Sequence, residues 1–142
     1  MKLAQRAIEI EESATLAVSE KAAQLRAQGV DIIPFAAGEP DFDTPEHIKQ
    51  AAIEAIRKGE TKYTASSGIP PLRKAVAEKY KREMGLAYEP SQVLISSGAK
   101  HSLFNAMQAL LEPGDECIIP SPYWVSYPEM IKTTGATSVI LP

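Results

Sequence analysis

The sequence is poor in cysteine, in long apolar runs and in positive charge. Its single cysteine, Cys117, excludes an internal disulfide, so a reducing cytoplasm is the expected location. The longest stretch without a charged residue has 12 residues, 117–128, whereas a membrane-spanning helix needs about 20 apolar ones. Lysine and arginine number 15 against 18 aspartates and glutamates, which leaves no basic excess to neutralise nucleic-acid phosphates. We therefore expect neither a membrane nor a nucleic acid as a partner.

Sequence motifs that carry catalysis are also missing. The sequence has no GxSxG, HExxH, GxxxxGK or GxGxxG motif, and His47 and His101 each stand alone. No segment pairs a nucleophile with a base, so no catalytic residue is predicted. Asp41 and Asp43 have only His47 nearby as a further metal ligand, so no metal site is predicted.

The remaining composition is that of a globular domain, with 44% hydrophobic and 23% charged residues. Hydrophobic spacing and turn residues predict four helices, at about 14–28, 45–58, 70–84 and 100–111. Parallel strands are predicted at about 92–96, 116–120 and 136–141, with a shorter helix between the last two and a strand or extended segment at 30–37. The predicted buried faces contain Val18, Ala22 and Leu25; Ile48, Ala51, Ala52, Ala55 and Ile56; Leu72, Val76 and Tyr80; and Leu103, Phe104, Met107, Leu110 and Leu111.

This order of elements predicts an α/β fold, with a partial parallel sheet and flanking helices. Residues 1–30 are predicted to form an N-terminal arm and helix, and residues 31–142 an incomplete α/β domain. A sheet of three strands leaves its outer strands without partners, which is typical of a domain that continues.

The tightest predicted connection is the SGAK segment, Ser97–Lys100, between a strand and a helix. Small residues there expose backbone N–H groups at the positive end of the helix dipole, where a phosphate binds readily. The alternative interpretation is an ordinary turn in which glycine relieves crowding. Lys100 is interpreted as a helix-start lysine near an anion or solvent, because nothing nearby activates its amine.

Three further segments supply candidate binding residues. Trp124, in SPYWVSYP, follows a strand end, where ligands gather, and is a candidate for stacking on a planar ring; the alternative is that it fills a core. Gly38, in AAGEPDFDTP, lets backbone approach a ligand, unless this segment is a plain connector. Tyr63, in KYTASSGIP, is a candidate contact to a phosphate or a partner subunit, unless this segment is a polar loop.

Four motifs occur in a fixed order: GEPDFDTPEHI, KYTASSGIPPLR, SGAKHSLFNAMQALLEPGDE and SPYWVSYPEM. Their order and intervals closely resemble the N-terminal part of the class I aminotransferases, which are fold-type I pyridoxal-phosphate enzymes. The sequence looks most like the prokaryotic aspartate aminotransferase subgroup. The resemblance extends from about Ser13 to Pro142 and implies the first part of the large domain of such an enzyme, preceded by an arm and a helix.

The resemblance also implies roles for individual residues in binding pyridoxal 5'-phosphate and substrate. In each case the residue matches a motif position of the family. The implied roles are cofactor-phosphate binding through backbone N–H groups for Gly98, Ala99 and Lys100, stacking on the pyridine ring beside the substrate for Trp124, proximity to the substrate carboxylate for Gly38, and contact with the cofactor phosphate of the other subunit of a homodimer for Tyr63.

The reaction implied by the resemblance moves an amino group from an amino acid, aspartate in that subgroup, to a 2-oxo acid. The family's catalytic lysine and the arginine that orients the substrate match positions beyond Pro142. We therefore expect residues 1–142 to be an N-terminal fragment that cannot attach the cofactor at the family position and is inactive alone. The alternative is a non-catalytic α/β domain that binds a phosphate ligand or a partner chain.

Overall fold

The computed structural model describes residues 2–33, 35 and 38–142. Nearly half of the described residues are helical, and the four long helices that the sequence predicts are confirmed to within two residues at each end. The elements are α1 (Gln5–Ile8), α2 (Ala14–Ala27), α3 (Glu46–Arg57), α4 (Pro70–Met84), a 3-10 turn (Pro90–Gln92), α5 (Ala99–Leu110), β1 (Glu116–Pro120), α6 (Ser126–Lys132) and β2 (Thr137–Leu141).

The helix ends follow from local side-chain and backbone chemistry. Ser13 precedes α2, and its hydroxyl oxygen accepts a hydrogen bond from the Leu16 N–H at 3.4 Å. Pro70 opens α4, where its missing N–H costs no helical hydrogen bond. Gly85 ends α4 with a left-handed φ of 71°, a conformation that glycine adopts without steric cost.

The sheet of the described chain has two parallel strands, β1 and β2. Glu116 lies opposite Thr137, and the register continues to Pro120 opposite Leu141. Beneath the strands lies a small core in which Ile131 of α6 is fully buried. The other members of this core are Ile119 and Ala136, with Met107, Leu111, Cys117 and Tyr127 packed partly buried against them.

The strand predicted at 92–96 is wrong. The structure has the 3-10 turn up to Gln92, and residues 93–96 are neither helix nor strand. Val93 has extended dihedral angles, φ −104° and ψ 128°, but the Ile95 N–H donates to the Ser67 carbonyl instead of to a neighbouring strand. The apolar residues do favour an extended backbone, but a strand also requires a partner strand. No strand pairs with these residues in the part of the chain that the structure describes.

The structure describes only part of the segment 30–37, for which a strand or an extended segment is predicted. Residues 34, 36 and 37 lie outside the described residues, and the described residues 30–33 and 35 are neither helix nor strand. The extended alternative of that prediction therefore stays a prediction.

Several predicted buried faces are exposed, which corrects the expectation from hydrophobic spacing. Neither α2 nor α3 buries a residue, and α4 buries Ala77 while leaving Leu72 and Tyr80 exposed. The predicted face of α5 is confirmed in part: Leu103 and Phe104 are each 38% exposed, whereas Met107 and Leu111 pack against the core around Ile131. The spacing predicts a helix and its apolar face, but burial requires a second apolar surface, and the described residues provide little of one for these faces.

The chain divides into two compact units, residues 1–40 with 103–142, and residues 41–102. The first unit contains α6, whose polar side chains bind the N-terminal arm. The Glu129 carboxylate accepts hydrogen bonds from the Glu11 N–H at 3.0 Å and from Lys132 at 2.9 Å, and Lys132 also donates to the Glu9 carbonyl at 3.0 Å. The predicted boundary at residue 30 stays a prediction.

These contacts shift the pKa of both partners. Burial acts to raise the pKa of Glu129, but the hydrogen bonds from Lys132 and Glu11 and the charge of Lys132 bring it below its ordinary value of 4.5. The hydrogen bond to Glu129 raises the pKa of Lys132 above its ordinary value of 10.5, against the effect of desolvation. Both shifts favour the charged pair.

We expect the arm contact to be pH-dependent on the acid side. A lowered pKa stabilises the folded form fully above the unfolded value of 4.5, and this contribution is lost as pH falls through the lower folded value. The protection of the Glu11 amide against exchange should be constant from pH 7 downwards and should be lost once the pH falls through the lowered pKa of Glu129, within a series that extends to pH 2.5. Glu129→Gln should show reduced protection at pH 7 and little pH dependence. Glu83→Gln, a surface change on α4, is the control; equal profiles for the two variants would contradict the assignment.

Candidate functional site

The segment Ser97–Lys100 forms a sharp turn into α5. Gly98 has a left-handed φ of +89°, and its N–H donates to the Ser96 carbonyl at 2.8 Å. A Cβ built at Gly98 meets no atom within 4 Å, so backbone conformation, and not crowding, requires glycine here. The turn therefore leaves open space beside the start of the helix.

The first turn of α5 is a favourable place for an anion. The helix begins at Ala99, and the first N–H groups of any α-helix lack a partner within the helix and carry the positive end of its dipole. The Ser102 N–H donates to the Gly98 carbonyl at 3.3 Å, which closes this turn. Lys100 is exposed in the same turn. Backbone N–H groups, helix dipole and a cation at one point can bind a phosphate group.

His101 has a role that the sequence analysis missed. Its Nδ1 accepts a hydrogen bond from the Ser97 N–H at 3.1 Å, so the imidazole caps the turn that precedes its own helix. The only sequence signal for this contact was the spacing of four residues between Ser97 and His101. This spacing allows a side chain in the first helical turn to reach the backbone just before the helix.

Trp124 lies just before α6, and its carbonyl accepts from the Tyr127 N–H at 3.0 Å. Its side chain is 50% exposed and is not a member of the core around Ile131, so the alternative that it fills this core is wrong. Tyr127, three residues later, does pack against that core. The indole therefore presents aromatic surface on which a planar ring can stack.

Gly38 and Tyr63 are both exposed. A Cβ at Gly38 meets no atom within 4 Å and its φ lies outside the left-handed region, so nothing in the described chain requires glycine at this position. Tyr63 is fully exposed and lines an open depression together with Thr61 and Lys62. Both residues can contact groups that are not part of this chain.

The structure brings three of the candidate residues together. Gly98, Ala99 and Lys100 are consecutive in one turn of the unit 41–102, which also contains Tyr63. Gly38 and Trp124 belong to the other unit.

Asp43 makes two contacts close to it in sequence. Its carboxylate accepts a hydrogen bond from the Thr44 N–H at 2.9 Å and forms an ion pair with Lys49 of α3. Across the described residues, no three His, Cys, Asp or Glu side chains are grouped as metal ligands. The helices that the structure describes are all too short or too polar to cross a membrane.

Comparison with known proteins identifies the family of this chain. The family model "Aminotransferase class I and II" matches residues 30–142, which is most of the chain. The chain therefore belongs to the class I and II aminotransferases, and the resemblance inferred from the four motifs is confirmed.

Several relatives with high sequence identity to this chain are aspartate or aspartate/prephenate aminotransferases. The chain is 57% identical over 141 residues to the aspartate/prephenate aminotransferase of Nitrosomonas europaea, covering 99% of this chain and 36% of that protein. It is 53% identical over 139 residues to the aspartate aminotransferase of Geobacillus stearothermophilus, covering 98% and 35%. The solved aspartate aminotransferase of Thermus thermophilus with maleate has a TM-score of 0.94 at 52% identity, covering 99% of this chain and 37% of that one. The chain spans about a third of the length of these relatives.

We expect His101→Ala to loosen the turn before α5. Losing a capping acceptor costs about 1 kcal/mol, so amide exchange at Ser97 should become about fivefold faster. His47→Ala, at an exposed position on α3, is the matched control and should leave Ser97 unchanged. If both variants gave the same Ser97 exchange rate, the imidazole would not be the cap.

Proposed function

We propose that residues 1–142 form the part of an aminotransferase that binds the phosphate of pyridoxal 5'-phosphate and stacks on its ring. The observation that carries this proposal is the open, glycine-dependent turn at Ser97–Lys100, at the start of a 12-residue helix, in a chain of the aminotransferase family. A phosphate dianion there interacts with helix N–H groups and the helix dipole.

The proposed cofactor contacts divide between backbone and side chain. Ala99 and Lys100 supply N–H groups in the first turn of α5. The Gly98 N–H donates to Ser96 in this structure, so we assign Gly98 chiefly to the left-handed turn that keeps the space beside those groups open. Trp124 is proposed to cover one face of the pyridine ring, because half of its surface is exposed.

Two further residues are proposed to contact groups outside the chain. Gly38 is proposed to lie against the substrate carboxylate, since neither its conformation nor its packing otherwise requires glycine. The fully exposed Tyr63 is proposed to reach the cofactor phosphate bound by a second subunit, which makes the complete enzyme a homodimer with shared sites.

The proposed reaction moves the amino group of an amino acid, aspartate above all, to a 2-oxo acid. Bound pyridoxal phosphate supplies the electron-withdrawing ring on which such a transfer depends. The residues of this chain bind and orient: the turn holds the phosphate, Trp124 fixes the ring plane and Gly38 leaves room for the carboxylate. The names of the relatives, aspartate and aspartate/prephenate aminotransferases, support aspartate as the amino donor. A cytoplasmic enzyme with residues 31–142 in its cofactor-binding domain fits this proposal.

The phosphate site is tested by binding to the 142-residue chain. Pyridoxal phosphate should quench the fluorescence of Trp124, the single tryptophan, at lower concentrations than pyridoxal, which lacks the phosphate. Gly98→Asp should weaken pyridoxal phosphate by about tenfold or more, because a carboxylate repels the phosphate and a side chain strains the turn.

The control for this variant is Gly85→Asp, which puts the same side chain at another left-handed glycine of the unit 41–102 that has no neighbour within 4 Å. It should bind pyridoxal phosphate as the parent chain does. Equal affinity of the parent for pyridoxal phosphate and pyridoxal, or equal losses in the two variants, would refute the site.

We further expect residues 1–142 alone not to transaminate. The resemblance implies that the family's catalytic lysine matches a position beyond Pro142 and none of the ten lysines present, and groups that act as a unit are lost together. The purified chain, supplied with pyridoxal phosphate, aspartate and 2-oxoglutarate, should form glutamate no faster than the free cofactor does. Turnover above that background would contradict this expectation and would place a working lysine within residues 1–142.

A further inference from the structure

The side chain of Arg73 joins two segments that are distant in sequence. Its Nε donates to the Val93 carbonyl at 2.9 Å, and its Nη1 donates to the Ser67 hydroxyl at 3.2 Å. Arg73 lies in the first turn of α4, where a positive charge opposes the helix dipole. Helix stability therefore does not account for a cation at this position, whereas the two hydrogen bonds do.

Two other contacts fix the same segments to each other. The Ile95 N–H donates to the Ser67 carbonyl at 3.0 Å. Gly68, with φ +99°, lies so close to Ile95 that an added Cβ would stand 2.6 Å from the Ile95 Cβ. Backbone and side-chain contacts thus both hold residues 67–68 against residues 93–95.

Apolar burial contributes little to this part of the chain. Within residues 41–102, all of which the structure describes, Ala77 is the one buried residue. Residues 93–96 also have no partner strand among the described residues. Hydrogen bonds from Arg73 and to Ser67 therefore take the place of a sheet neighbour for the segment that leads into the turn.

Each joined segment leads to a candidate phosphate-binding residue. Ser67 lies four residues after Tyr63, and Ile95 lies three residues before Gly98. The backbone between Ile95 and Gly98 is short and internally bonded, because the Gly98 N–H donates to Ser96 and the Ser97 N–H to His101. A displacement at residues 93–95 is therefore passed to the turn.

We propose that Arg73 is a positioning residue for phosphate binding, which ties the Tyr63 loop to the segment that carries the Ser97–Lys100 turn. This inference rests on the proposed function. Arg73 acts without touching the phosphate: its guanidinium presents two donors in a rigid plane, one for a carbonyl and one for a hydroxyl. One side chain then fixes the positions of two proposed phosphate contacts. These are the loop whose Tyr63 reaches the phosphate bound by the other subunit, and the turn that binds the phosphate of its own subunit.

The test compares substitutions at the link with a change next to it. Arg73→Met keeps the aliphatic stem and removes both donors, Arg73→Lys keeps the charge without the fork, and Ser67→Ala removes one acceptor. Lys74→Met is the matched control, because Lys74 is exposed on the same helix and pairs with Glu78 at the surface. The probes are pyridoxal phosphate, inorganic phosphate and pyridoxal, and amide exchange is followed at Ile95 and Gly98.

Arg73→Met should weaken pyridoxal phosphate and inorganic phosphate by about tenfold and leave pyridoxal unchanged. Arg73→Lys should restore part of that affinity, and Ser67→Ala should cost about twofold. Amide exchange at Ile95 and Gly98 should become faster in these variants, most in the variant that loses the most phosphate affinity. In Lys74→Met, both the affinities and the exchange rates should match those of the parent chain. A purely structural role would change binding of all three probes alike.

The inference is overturned if Arg73→Met binds both phosphate probes as Lys74→Met does. If Arg73→Met fails to fold, Arg73→Lys and Ser67→Ala decide the question, and parental phosphate affinity in both would overturn it. A parent chain that binds pyridoxal phosphate no better than pyridoxal overturns the proposed function and this inference together. If the parent chain binds pyridoxal phosphate better than pyridoxal, but the substitutions at Arg73 and Ser67 do not weaken phosphate binding, this inference alone is overturned.

Discussion

Burial of Ile131 beneath the two parallel strands is the central contact of the small core that joins α5, α6 and the sheet. Withdrawing an aliphatic side chain of this size from water contributes about 1.5–3 kcal/mol, and Ile131 is fully buried against a core that includes Ile119 and Ala136. This contact packs α6 against the strands, and α6 carries the Glu129–Lys132 pair that binds the arm and begins two residues after Trp124. The helix held by this apolar contact is thus adjacent to both the arm and the candidate ring-stacking residue.

The sequence predicted features that depend on near neighbours and failed where distant partners decide. The cap at Ser13 and the left-handed end at Gly85 are set within one helical turn, so the helix bounds were confirmed. Residues 92–96 have the composition of a strand, but their long-range hydrogen bonds join Ile95 to Ser67 and Val93 to Arg73, which no local pattern indicates. Hydrophobic spacing likewise predicted an apolar face on α3, but it could not show that the described residues bury none of that face.

The candidate site shows the same division. The glycine of the Ser97–Lys100 turn was predictable, because small residues between an extended segment and a helix imply a close turn, and Gly98 has the left-handed φ that such a turn uses. The exposure of Trp124 was not predictable, since pattern alone favoured neither stacking nor a core position. The four motifs identified the family because several agree in order, which single residues cannot achieve.

The contact between Gly68 and Ile95 limits how these two positions can vary during evolution. A side chain at position 68 is excluded twice, by the φ of +99° and by the Ile95 side chain. Every residue at 95 except glycine keeps a Cβ, the atom that would stand 2.6 Å from an added Cβ at 68, so a smaller side chain there leaves the steric obstacle in place. Glycine at 95 would remove that obstacle and leave the strain of the left-handed φ, about 1–3 kcal/mol. Position 68 therefore stays glycine while position 95 varies, and the two positions do not compensate for each other.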